Sequence, residues 1–170
     1  MNARSEKSAL FSIVGTGGGI ASTVYGTVVV MATLTAAYAT EKDPWRLAVL
    51  VWTTAFVLWV AHLYAHGLAE SISRRQRLTF SELRDIARRE LGILVAAAVP
   101  SAALLLGAFG IMRESASVWL ALGIGLAILA AEGVRYARIE ALGLMATLTV
   151  VGANLAVGLF VVVLKVTVAH

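Results

Sequence analysis

Apolar positions in this chain gather into five long runs, separated by short polar breaks. Residues 20–39, 45–64, 91–112, 118–136 and 141–164 are dominated by Ala, Val, Leu and Ile. Each run approaches the ~20 residues that a helix needs to cross a hydrocarbon layer about 30 Å thick. The pattern predicts an all-α, polytopic integral membrane protein of five transmembrane helices, forming a single membrane domain over residues 1–170.

Only one connection is long. Residues 65–90 are predicted to form a helical segment between spans two and three, outside the hydrocarbon. Thr79 followed by Glu82 is a capping box, in which hydroxyl and carboxylate each satisfy a free amide at a helix start. Leu83, Ile86, Ala87 and Leu91 then make a narrow apolar stripe with arginines around it, so the third span is expected to begin as an amphipathic extension. Pro100 is expected to kink that span. At the start of the second span, Asp43-Pro44 suits a helix beginning at the proline. That helix is expected to continue to about Ile72, a length of ~43 Å that carries its last turns out of the hydrocarbon.

Composition agrees with this reading. The chain of 170 residues is 59% hydrophobic and 14% charged, with a mean hydropathy of +0.85; soluble domains are about 25% charged. There are no cysteines, so disulfides, thiolate metal sites and cysteine nucleophiles are excluded. No serine, lysine or glutamate stands in a recognisable nucleophile motif, so an enzyme is not expected.

The net charge of +4 is a topology signal more than a nucleic-acid one. With the N-terminus in the cytoplasm, the inner side collects Arg4, Lys7, Arg74, Arg75, Arg77, Arg84, Arg88, Arg89, Arg135 and Arg138. The outer side keeps Lys42, Arg46, Arg113 and Lys165. Ten against four favours N-in/C-out, with membrane lipids as partners of the arginines and no nucleic acid. The abundance of Ala, Val, Leu and Arg suggests a bacterial cytoplasmic (inner) membrane. The first run is too long for a signal-peptide core and is expected to be retained as a span.

The candidate chemistry lies at the end of the second span, in WVAHLYAHGLAESISRRQR (residues 59–77). His62, His66 and Glu70 recur every four residues and fall within an arc of about 80° on a helix, beside Trp59. Imidazole and carboxylate together suit zinc, iron or manganese. Histidines at i and i+4 can share one metal, although the glutamate here follows the pair instead of lying within it. The alternative is a solvated helix end, with Glu70 paired to Arg74. His62 argues for function, because it is the deepest of the three and is costly to place in lipid without a partner.

Glu132, on span four, is spaced to pair with Arg135 in its own helix; turned inward, it would add a carboxylate to the metal set. Trp52 and Trp59 are expected to be packing residues, and Trp45 to sit at the water boundary. Asn154 is expected to hydrogen-bond across a helix interface.

The arrangement resembles the vacuolar iron transporter family: five spans, N-in and C-out, with the one extended loop cytoplasmic and helical between spans two and three. In AHGLAESISRRQ, Glu70 falls where the family's second-span glutamate lies. VYGTVVVMATLTAA, with Gly26 and Met31, is loosely similar to the family's first-span Asp-Gly segment. The resemblance implies a homodimeric, proton-coupled exporter of divalent metal. Tyr25 stands in place of the family's membrane aspartate, and the run of cytoplasmic glutamates is missing. The expected function is therefore transport of a divalent metal ion through His62, His66, Glu70 and Glu132. A pH-gated oligomeric channel for ions and a non-transporting membrane scaffold are the alternatives.

Overall fold

The computed structural model describes residues 17–74 and 79–168, which form six helices. They are α1 (Gly17–Ala37), α2 (Pro44–Arg74), α3 (Phe80–Arg89), α4 (Leu91–Ala108), α5 (Glu114–Ile139) and α6 (Leu144–Val168). All except α3 are long and apolar enough to cross a membrane. Arg4, Lys7, Gly15, Arg75 and Arg77 lie outside the described residues, as do the side chains of Arg74 and Lys165.

The helix ends follow local chemistry. Asp43 Oδ1 accepts the Trp45 amide at 2.9 Å, which caps α2 directly before Pro44. At the start of α3 the capping box forms as the spacing requires: Glu82 N–H donates to Thr79 Oγ1, and Thr79 N–H donates to Glu82 Oε2 at 2.8 Å.

The third and fourth spans differ from the expected bounds. α4 ends at Ala108, and the chain then turns through Gly110 at φ 72°. Ile111 and Met112 thus belong to a loop despite their apolar side chains, and α5 starts at Glu114. The amphipathic segment is a separate helix, because Glu90 breaks it from α4 with ψ near 0°. α4 continues through Pro100, where the missing amide leaves the Ala96 carbonyl without its usual helical partner.

α1 is the central helix and touches all four other long ones. α2 packs chiefly on α4, and α6 on α5 and α1. The interior is apolar, with Met31, Leu34, Leu47, Ile93, Leu104, Leu122 and Leu129 fully buried. With no water to escape between helices in lipid, such contacts stabilise through close packing. The closest approach of one helix to another's backbone is at Gly26: a Cβ there would lie 2.8 Å from the Ile93 backbone Cα, so only glycine lets α1 approach α4 this closely.

The outer surface is apolar too. Phe56, Val57, Val95, Leu148 and Phe160 are all more than half exposed, a pattern that a water-facing domain does not tolerate and a lipid-facing one requires. Trp52 is exposed on this surface instead of packing inside the chain. At one end Lys42 stacks on the Tyr38 ring, 3.9 Å from its centre, near exposed Trp45 and Arg46. At the other end gather α3, the end of α2, the starts of α1 and α4, and the end of α5 with Arg135 and Arg138. α2 spans 31 residues, or ~46 Å, against a hydrocarbon thickness of about 30 Å.

Candidate ion and proton site

The two histidines lie on α2 where it meets the α3–α4 junction. His62 is partly buried and His66 more exposed, with ring centres 6.0 Å apart. His62 Nδ1 lies 3.1 Å from the Leu58 carbonyl. A carbonyl oxygen can only accept, so this nitrogen carries the hydrogen and Nε2 carries the lone pair in the neutral ring. His66 Nδ1 lies 3.2 Å from Glu90 Oε1. The same logic applies: the nitrogen donates to the carboxylate, and Nε2 keeps the lone pair while the ring is neutral. In the neutral rings these two contacts leave each Nε2 with its lone pair. A ligating histidine characteristically donates its other ring N–H to a backbone carbonyl or a carboxylate.

Glu90 is the residue that sequence reasoning missed. It is 8% exposed, the most buried acidic side chain among the described residues, and stands at the junction of the two helices, as the C-cap of α3 and the N-cap of α4. Its signal in the sequence was a lone carboxylate at the mouth of an apolar run. Nothing in the spacing ties position 90 to position 66; the fold-back of α3 does.

Three side chains hold that fold-back. Besides His66, Trp59 Nε1–H donates to the Ala87 carbonyl at 3.1 Å and Ser22 Oγ to the Arg89 carbonyl at 3.3 Å. Both acceptors lie in the last turn of α3, where carbonyls have no partner within the helix. Ser22 and Thr23 are buried on α1, directly beneath Gly92, whose Cβ would collide with both hydroxyls. Tyr25 completes the cluster from α1, its ring centre 5.0 Å from that of His62.

The other expected ligands lie elsewhere. Glu132 pairs with Arg135 on its own helix at 3.3 Å, the outcome that the i,i+3 spacing allows. Glu70 is one turn beyond His66, partly buried and engaged in contacts of its own. Among the described residues no three His, Asp or Glu side chains converge as a ready metal shell. What the fold assembles is a two-histidine ridge backed by one buried carboxylate. Asn154 makes the expected cross-helix bond, from Nδ2 to the Leu129 carbonyl at 3.1 Å.

No family model, no curated protein and no solved structure matches the chain.

Proposed function

We propose that the protein is a proton-coupled transporter of a divalent metal ion in a bacterial inner membrane, N-in/C-out and homodimeric. His62 Nε2 and His66 Nε2 would be the ligands that meet the ion on the cytoplasmic side. Glu90 would hold His66 and take part in its proton exchange. The observation that carries this reading is the pairing of both Nδ1 atoms, one with a carbonyl and one with a buried carboxylate, which readies both Nε2 atoms for an electrophile.

Coupling follows from competition. A metal ion binds an imidazole only when that nitrogen is unprotonated, so binding releases a proton wherever His66 was charged. Protonated, His66 would form an ion pair with Glu90; neutral, it remains hydrogen-bonded to the same oxygen with Nε2 open. The Tyr25 ring packs at a tilt against His62, and Glu70 follows on the same helix as the remaining acidic group of α2. The count of ten basic residues against four supports the orientation. The resemblance to the vacuolar iron transporters supports the same class of cargo.

Purified protein reconstituted into vesicles tests this. Zinc, iron(II) or manganese uptake driven by a pH gradient should occur with the wild type. It should fall at least tenfold in His66→Ala and in His62→Ala. Uptake at wild-type rates in both variants removes the site. Currents that need no proton gradient would instead indicate a pore, and absence of any flux a scaffold.

A further inference from the structure

Two polar groups in the middle of α4 have no usual partner, and they adjoin one another. Pro100, within a helix of 18 residues, offers no N–H to the Ala96 carbonyl. Ser101 follows it, 1% exposed, and its Oγ makes no hydrogen bond among the described residues. Ala96, Ala97 and Leu104 around them are fully buried. An unpaired hydroxyl in an apolar interior is costly, and native proteins leave few of them.

A local change satisfies it. A serine hydroxyl in a helix reaches the carbonyl one turn back, here that of Ala97, whose oxygen has a second lone pair to accept it. Such a bond bends the helix. Proline loosens the same turn, because its ring crowds the carbonyl four residues back and no N–H ties that carbonyl down.

Packing divides α4 at this point. The half before Pro100 rests on α1: a Cβ at Gly92 would meet Thr23, and one at Gly26 would meet Ile93 and Ala96. The half after Ser101 rests on α5 and the start of α2: a Cβ at Gly107 would meet Ser117 and Pro44. Each half is anchored on different neighbours, and the unpaired groups lie between the anchors.

We infer that α4 is a hinge at Pro100–Ser101 with two arrangements: the one seen in the structure, with the hydroxyl unpaired, and a more bent one, in which Ser101 Oγ donates to the Ala97 carbonyl. The hinge stands independently of the transport reading. It bears on the candidate site through the arm that it carries. Glu90 precedes Pro100 by ten residues, or ~15 Å along the axis. A bend of about 20°, the size at which a helix is sharply kinked, displaces the end of that arm by about 5 Å. His66 Nδ1 and Glu90 Oε1 are 3.2 Å apart, so a displacement of that size breaks their contact.

Double electron–electron resonance on the full chain in lipid nanodiscs tests this. The chain has no cysteine of its own, so nitroxide labels attach only at introduced ones. The pairs are Leu91→Cys with Tyr64→Cys and Leu91→Cys with Ile139→Cys, all at exposed positions. Dilution into unlabelled protein confines the signal to distances within one chain. With Pro100 and Ser101 intact, at least one pair should show two distances about 5 Å apart. Ser101→Ala loses a bond that only the bent arrangement makes, so one of the two distances should vanish. Pro100→Ala, which returns an N–H to the Ala96 carbonyl, should retain the same single distance, and far-UV circular dichroism should show the same helix content in all variants. A single distance in both pairs with Pro100 and Ser101 intact, or two distances in unchanged proportion in Ser101→Ala, would overturn the hinge.

Discussion

The close approach of α1 to α4 at Gly26 gives a prediction whose sign follows from distances. In Gly26→Ala the new Cβ would lie 2.8 Å from Ile93 Cα and 3.3 Å from both the Ile93 carbonyl oxygen and the Ala96 Cβ. Carbon atoms rest at about 3.5–4.0 Å, so the first contact is too short by ~0.7 Å or more. The offending atom is backbone, which cannot swing aside as a flexible side chain can. α1 and α4 must therefore separate, and overpacking of this kind costs about 1–3 kcal/mol. Against that stands alanine's better helix propensity, worth up to about 1 kcal/mol. The net expectation is a loss of about 1 kcal/mol. Gly152, in the middle of α6, has nothing within 4 Å of its would-be Cβ. Gly152→Ala should take only the propensity term, a gain of up to about 1 kcal/mol. The two variants should thus differ by ~2 kcal/mol, or roughly thirtyfold in unfolding equilibrium. Reversible unfolding in mixed micelles, followed by circular dichroism while the denaturing detergent is raised, measures this. Gly26→Ala at least as stable as Gly152→Ala would refute the packing of α1 on α4.

Two further changes probe the ends of the bundle. Trp59→Phe keeps an aromatic ring, though a smaller one, and loses the indole N–H that satisfies the Ala87 carbonyl, so about 1 kcal/mol should be lost from the docking of α3. Hydrogen exchange should quicken over residues 80–90 and stay unchanged in α5; equal protection in both proteins would contradict the contact. In the α1–α2 turn, the backbone amide of Asp43, joined by Arg46, holds the Glu41 carboxyl below its ordinary range. A group depressed in the folded state stabilises above its unfolded pKa, and that contribution is lost as pH falls through the folded one. Glu41→Gln should therefore be less stable than wild type at neutral pH and indistinguishable from it once the Glu41 carboxyl of the wild type is protonated. A difference that grows on acidification would reverse the sign.

Much of the fold was legible because lipid imposes length. Five runs of adequate hydropathy became five helices, and Asp43-Pro44 and Thr79–Glu82 marked starts that depend only on local hydrogen bonds. The stop of α4 was not legible, since Ile111 and Met112 extend the apolar run past a turn that is made by the backbone at Gly110. Nor was the break at Glu90, where the apolar stripe of α3 runs on into α4 while the backbone bends.

The candidate site divides along the same line. His62 and His66 share a face by helical periodicity, which any reading of the spacing finds. Glu90 reaches His66 only through the return of α3 along α2, a long-range event held by Trp59 and Ser22. Glu132 pairs instead with Arg135, three residues along its own helix, a contact the spacing alone allows.

The central claim is that protons and metal compete at the imidazole backed by Glu90. Vesicles carrying a lumenal pH dye and a lumenal metal indicator record both fluxes at once, for the wild type and for Glu90→Gln. The account requires the wild-type lumen to alkalinise as metal enters, and that exchange to collapse in Glu90→Gln. Metal entering through Glu90→Gln at the wild-type rate, with the same change in lumenal pH, would contradict it.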